Sequence, residues 1–256
     1  MKRKSLFTVV PILFMLMALV LFSGTKLTSG KTEKFSDSAV KTVLEQRLIK
    51  YGLLKDNNIQ VSVENGVITL NGVVRSLAEK AKVAHYAHEV DDTYTIENLL
   101  TIQVGNLSDQ QIADSVMAKV DNYAFYSVFD WIEVKVNSGV ATLSGWVDEP
   151  WHKSGYEKQA QKAIGVRQIK NEIETLPASF TDDDIRHQAA TVIYDDPILD
   201  RYAYGTVPAI HIIVNMGVVT LKGVVASSFD ATRAGSLVRY RTDAFDVVNQ
   251  LQFPSE

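Results

Sequence analysis

Apolar and polar positions run through the same order three times along the chain. In the first round Val40, Val43, Leu44 and Leu48 recur at helical spacing and make one apolar stripe. A period of two follows. Ile59, Val61 and Val63 alternate with Gln60, Ser62 and Glu64, as in a strand with one buried face. In the second round Ile132, Val134 and Val136 alternate with Glu133, Lys135 and Asn137. Each of these strands leads into a turn and a second strand, at residues 65–74, 138–147 and 216–225.

The three turn-and-strand segments share the pattern Gly-Val-x-Thr-Leu-x-Gly-x-Val. Gly66 to Gly139 is 73 residues and Gly139 to Gly217 is 78; Gly72, Gly145 and Gly223 keep both offsets, as do Asn98, Asn171 and Asn249. A repeated period of this size is the mark of a tandem array. Asn65-Gly66, Ser138-Gly139 and Met216-Gly217 suit a tight hairpin, because glycine accepts positive φ. The second glycine of each copy marks a bend or a close backbone approach.

Ser36-Asp37, Ser108-Asp109 and Thr181-Asp182 read as caps ahead of each first helix. From the capping Asp to the hairpin Gly is 29, 30 and 35 residues in the three copies, so copy three carries a longer segment, 195–208. Second helices are expected at about 76–90, 150–164 and 227–240; Pro150 is tolerated in a first turn. Third strands follow at 95–104, 167–174 and 245–253. The expectation is an α+β protein of three tandem αββαβ domains, at 36–104, 108–176 and 181–253. Each is a three-stranded sheet with two helices on one face. Strand parity puts Leu70, Leu143 and Leu221 toward the helices. It puts Val67, Val73, Val140, Trp146, Val218 and Val224 on the other side, where they face solvent, a neighbouring repeat or an external partner.

Residues 1–30 differ from the rest. Lys2, Arg3 and Lys4 precede an apolar run at 6–22, and small residues follow. This is the pattern of an export signal, cleaved near Thr28-Ser29-Gly30 or kept as a membrane anchor. Either way the remainder is expected outside the cytoplasm, in the periplasm or tethered to the inner membrane. Without residues 1–30 the formal charge falls from −4 to −8, which disfavours nucleic acid as a partner. There is no cysteine, hence no disulfide, thiolate site or lipidated N-terminal cysteine.

The element order, the hairpin pattern and the late Asn together resemble the BON domain, named for bacterial osmotically inducible and nodulation proteins. The resemblance spans nearly all of the chain after residue 35. It implies a non-enzymatic binding module associated with phospholipid surfaces, envelope integrity and osmotic stress, with no catalytic residue or cofactor to carry over. Gly66, Gly72, Gly139, Gly145, Gly217 and Gly223 are structural in this reading. The better-known relatives have two such domains and a lipidation cysteine; this chain has three and none.

The candidate surface residues are lipid- or partner-binding. Trp151 opens a helix and is an anchor candidate, and Trp146 lies on the open sheet face. Second helices contribute Lys80 and Lys82, then Lys153, Lys158 and Lys162, then Arg233, Arg239 and Arg241. The alternative is a protein-interaction scaffold using the open sheet face and the aromatic surface of domain 2. His85 and His88 share a helix face but lack a third ligand, and Asp182-Asp183-Asp184 sits where a helix start stabilises negative charge anyway, so no metal site is assigned.

Overall fold

The computed structural model describes residues 35–254 apart from 56 and 206; the apolar run at 6–22 lies outside the described residues. Domain 1 comprises α1 (Asp37–Lys50), β1 (Asn58–Glu64), β2 (Val67–Val74), α2 (Leu77–Val90) and β3 (Thr95–Ile102). Domain 2 comprises α3 (Asp109–Asp121), β4 (Trp131–Asn137), β5 (Val140–Val147), α4 (Pro150–Ala160), β6 (Gln168–Asn171) and β7 (Glu174–Thr175). Domain 3 comprises α5 (Phe180–Tyr194), a 3₁₀ turn (Asp200–Ala203), β8 (Ile210–Asn215), β9 (Val218–Gly223), α6 (Ser228–Arg241) and β10 (Asp246–Asn249). Among the described residues no helix is long and apolar enough to cross a membrane.

In every sheet the second strand is central. It pairs antiparallel with the first and parallel with the third, as Val61↔Leu70 and Leu70↔Asn98 illustrate. The third strand of domain 2 is interrupted at 172–173, but its register holds: Leu143 faces Asn171 and Trp146 faces Glu174. The expected parity is observed, with Ile68, Leu70, Ala141, Leu143, Val219 and Leu221 fully buried under the helices. Val43 departs from the expected stripe. Val40, Leu44 and Leu48 are buried while Val43, at the stripe's margin, is exposed. Helix α4 also ends sooner than expected, in turns that lead to Gly165 at φ +85°.

Three motif positions act as fasteners. The hairpin turns have positive φ at both central residues, 51° at Asn65, Ser138 and Met216 and 75–80° at the glycines that follow. The cap Asp of each copy reaches across to this turn. Asn65 N–H donates to Asp37 Oδ2 at 2.7 Å, Ser138 N–H to Asp109 Oδ2 at 2.7 Å, and Met216 N–H to Asp182 Oδ2 at 2.9 Å. The caps proper are Ser36, Ser108 and, in copy three, Ser179 rather than Thr181, because α5 begins at Phe180. The late Asn ties strand to helix. Asn98, Asn171 and Asn249 Nδ2 donate to the carbonyls of Lys80, Lys153 and Ala231, and their Oδ1 atoms accept from residues 100, 173 and 251.

Each domain has its own core, and the cores touch. Leu77 of domain 1 packs against the core of domain 2. The start of α2 is held there by Ala78 N–H donating to the Gln161 carbonyl at 2.9 Å. Domains 2 and 3 meet sheet to sheet. Ile212 N–H on edge strand β8 donates to the Val128 carbonyl at 2.8 Å, and Phe129 packs against the core of domain 3. Residues Ile210 to Val214 are all buried: Ile210, Ile212 and Val214 lie in the core of domain 3, and on the other face of β8 His211 meets Tyr126 and Trp131 of domain 2.

Candidate functional site

Trp146 is covered by domain 3. Lys222 Nζ lies 5.3 Å from the Trp146 ring centroid and 5.4 Å from that of Trp131, and 2.9 Å from Glu133 Oε1. Trp131 Nε1–H also donates to Glu133 at 2.8 Å; the indole and then the Lys222 ammonium hold this carboxyl below its ordinary range. At this point the open face of one repeat is the packing surface of the next. His211 belongs to the same interface, stacked on Tyr126 with ring centroids 5.2 Å apart. Its burial pushes the imidazole down to about 4, so it is neutral near pH 7.

The basic candidates separate by how they are held. Lys80 Nζ donates to the Leu100 carbonyl at 2.5 Å, and Lys162 donates to Gln159. Lys82 lies over Tyr51 and Tyr86. Arg239 is turned toward Val247 and Asp246. Lys153 is half-buried on α4 and Lys158 is exposed. His85 pairs with Glu89 at 3.2 Å, and among the described residues it and His88 gather no third ligand.

The outer face of α6 brings aromatic and cationic groups together. Phe229, Thr232, Arg233, Ser236, Leu237, Tyr240 and Arg241 line a groove of about 390 Å³. Their spacing keeps them on one face of the helix. Tyr240 is 81% exposed and Phe229 59%. Arg233 is fixed at the groove wall by a two-pronged pair with buried Asp196, Nε to Oδ1 at 2.7 Å and Nη2 to Oδ2 at 2.6 Å, which holds that carboxyl below its usual range. Among the described residues Arg241 has no ion-pair partner. The one acid on α6, Asp230, is buried against Arg201 and Tyr202, so the exposed face carries no negative charge.

Trp151 opens α4 at the position where Phe229 opens α6. It is 48% exposed and meets Phe125 edge to face at 4.9 Å. Sequence reading selected Trp151, Arg233 and Arg241 but missed Phe229 and Tyr240. Aligning α4 with α6 on the preceding glycines points to Phe229 directly.

The architecture defines a tandem α+β repeat protein whose candidate chemistry lies on outer helix faces rather than in a cleft shared by the copies. The chain belongs to the BON domain family, whose model matches residues 36–104, 108–177 and 181–254. It is similar to Osmotically-inducible protein Y of Escherichia coli (strain K12), 25% identical over 148 residues that cover 54% of this chain and 72% of that one. Among solved structures it matches CdsD, a structural protein of the type III secretion system of Chlamydia trachomatis, at 10% identity and a TM-score of 0.23, over 82% of this chain and 92% of the other. A second structure, of the CdsD C-terminal domain, matches at the same identity and score over 96% of its length.

Proposed function

We propose that this is a non-enzymatic cell-envelope protein that binds anionic phospholipid surfaces and supports envelope integrity under osmotic stress. The observation that carries the reading is the α6 groove, where Phe229 and Tyr240 share a face free of exposed acid with the Arg241 guanidinium, beside Arg233, whose charge Asp196 already matches. Aromatic rings sit well at a membrane–water boundary, and each basic residue near an anionic surface contributes about 1 kcal/mol. The local face matters because the exported part is acidic overall and needs a basic patch to approach such a surface. The BON family and the osmotically inducible relative support the stress assignment.

Co-sedimentation of residues 31–256 with vesicles tests this. Binding to phosphatidylglycerol-containing vesicles is expected to exceed binding to pure phosphatidylcholine, and Arg241→Glu is expected to weaken it by roughly 5–30-fold, the effect of removing one favourable charge and adding an unfavourable one. Absence of sedimentation with either vesicle overturns the lipid reading. It leaves the Phe125–Trp151 ledge as the docking place for an envelope protein, the scaffold alternative. Location is tested separately by fractionation with N-terminal sequencing. A periplasmic product starting near Lys31 is expected for a cleaved signal, and a membrane-bound product keeping Lys2 for an anchor.

A further inference from the structure

Comparing the three copies at one locus exposes a difference. At the same remove past Gly72, Gly145 and Gly223 stand Glu79, His152 and Asp230. In domain 1 a guanidinium neutralises the acid: Arg75 Nη2 and Nε donate to Glu79 Oε1 at 2.7 and 3.1 Å. In domain 3 Arg201 Nη2 donates to Asp230 Oδ2 at 2.5 Å. In domain 2, among the described residues, no Lys or Arg reaches this point. Instead Asp130, Asp148 and His152 converge, each offering a ligand atom within 4.8 Å of the others.

The pocket is desolvated and its charges are unbalanced. Asp130 is fully buried and His152 is 5% exposed. His152 Nδ1 lies 2.8 Å from Asp130 Oδ2 and 3.3 Å from Asp148 Oδ1. Neither approach has the alignment of a hydrogen bond, so Nδ1 and Asp148 Oδ1 are both buried without a hydrogen-bond partner. Two carboxylates beside an imidazole in such a place require a cation or protons. Asp130 itself is firmly oriented. Tyr156 O–H donates to Oδ2 at 2.7 Å and Asp148 N–H to Oδ1 at 3.1 Å.

We propose that Asp130, Asp148 and His152 bind a divalent transition-metal ion of the zinc class, which takes the place that arginine fills in the flanking copies. Metal–ligand bonds of about 2.0–2.2 Å at angles near 90–110° set ligand atoms about 2.8–3.6 Å apart. The two contacts of Nδ1 fall inside that window, and all three ligand atoms lie within 4.8 Å of one another. Mixed nitrogen and oxygen donors favour zinc-like ions over calcium or magnesium, which take oxygen alone. Tyr156 and the Asp148 amide are the outer hydrogen bonds that orient the first ligand. Asp148, partly open to solvent, is the side by which an ion enters and a water completes the coordination. The ion would pin the start of α4, and with it Trp151, to the ends of β4 and β5.

The test uses the full chain, stripped with chelator and titrated with Zn²⁺ by calorimetry and with Co²⁺ by visible absorption. One equivalent is expected, with Co²⁺ d–d bands and a raised melting temperature. Loss of outer hydrogen bonds alone weakens metal binding by about 10–100-fold; His152→Gln, which removes a ligand, is expected to exceed that range. The double variant Asp148→Arg/His152→Glu rebuilds the Arg75–Glu79 pair in domain 2. It is expected to keep the far-UV spectrum and to lose the equivalent. Absence of a bound equivalent in the parent chain overturns the proposal. So does an equivalent that survives in either variant, as binding by His85 and His88 would.

Discussion

Gly145→Ala is expected to lower the unfolding free energy by roughly 3–5 kcal/mol, combining backbone strain with an unrelieved collision. Gly145 sits at φ +119°, and a Cβ there would lie 1.9 Å from the Trp131 carbonyl oxygen and 2.9 Å from its carbon. Both obstacles are backbone of the neighbouring strand, so no rotamer change removes them. Gly72 and Gly223 are in the same situation, with a Cβ 1.8 Å from the Asn58 oxygen and 2.0 Å from the Ala209 oxygen. Gly66→Ala is the control. Its φ is +80° but nothing lies within 4 Å of the added carbon, so only the strain, about 1–2 kcal/mol, is expected. Urea unfolding followed by circular dichroism measures both. Equal losses at the two positions would show that steric closeness at Gly145 is not what the motif preserves.

Acidification from pH 7 to pH 4 is expected to remove up to about 3 kcal/mol through His211 alone. The imidazole titrates near 6.5 when unfolded and near 4 when folded, because it is buried between domains 2 and 3; the nearby Asp130 and Ser127 backbone offsets this in part. A depressed folded value means that the unfolded chain binds the proton first. The contribution is complete above pH 6.5 and drains away as pH falls toward 4. The rings of Tyr126 and Trp131 pack on the imidazole and keep water from it. Asp130, nearby, opposes the trend. Burial raises its carboxyl, so it adds stability in acid and loses it as pH rises. Comparison with His211→Phe isolates the histidine: across pH 7, 6, 5 and 4 the urea midpoint of the parent should drop relative to that of the variant. Parallel slopes would remove His211 from the account.

The sequence was most readable where one residue type answers one backbone demand. The hairpin glycines, the second glycine against the facing strand, and the alternation that buries Ile68 and Leu70 all follow from local geometry. The cap Asp was read for only part of its work. Asp37 and Asp109 open their helices and Asp182 lies in the first turn of its own, but their carboxylates hold a hairpin some thirty residues on, and only the near-constant spacing to Gly66 and Gly139 hinted at it. Trp146 could be placed on the open face, but not against Lys222, because the approach of one repeat to the next is set by whole surfaces. Asp130, Asp148 and His152 went unnoticed singly. Their signal is structural: Arg75 and Arg201 reach the locus from unrelated places in the chain, and among the described residues no arginine does so in the middle copy.

The burial of β8 on both faces has a consequence for how the chain is made. A strand that sets His211 against Tyr126 and Trp131 of the neighbouring domain, and gives its edge amide at Ile212 to Val128, cannot be finished by domain 3 alone. The ribosome delivers domain 2 first. When the last repeat emerges, the surface that will cover its most apolar strand is already waiting, and the interval in which that strand could pair with another chain is short.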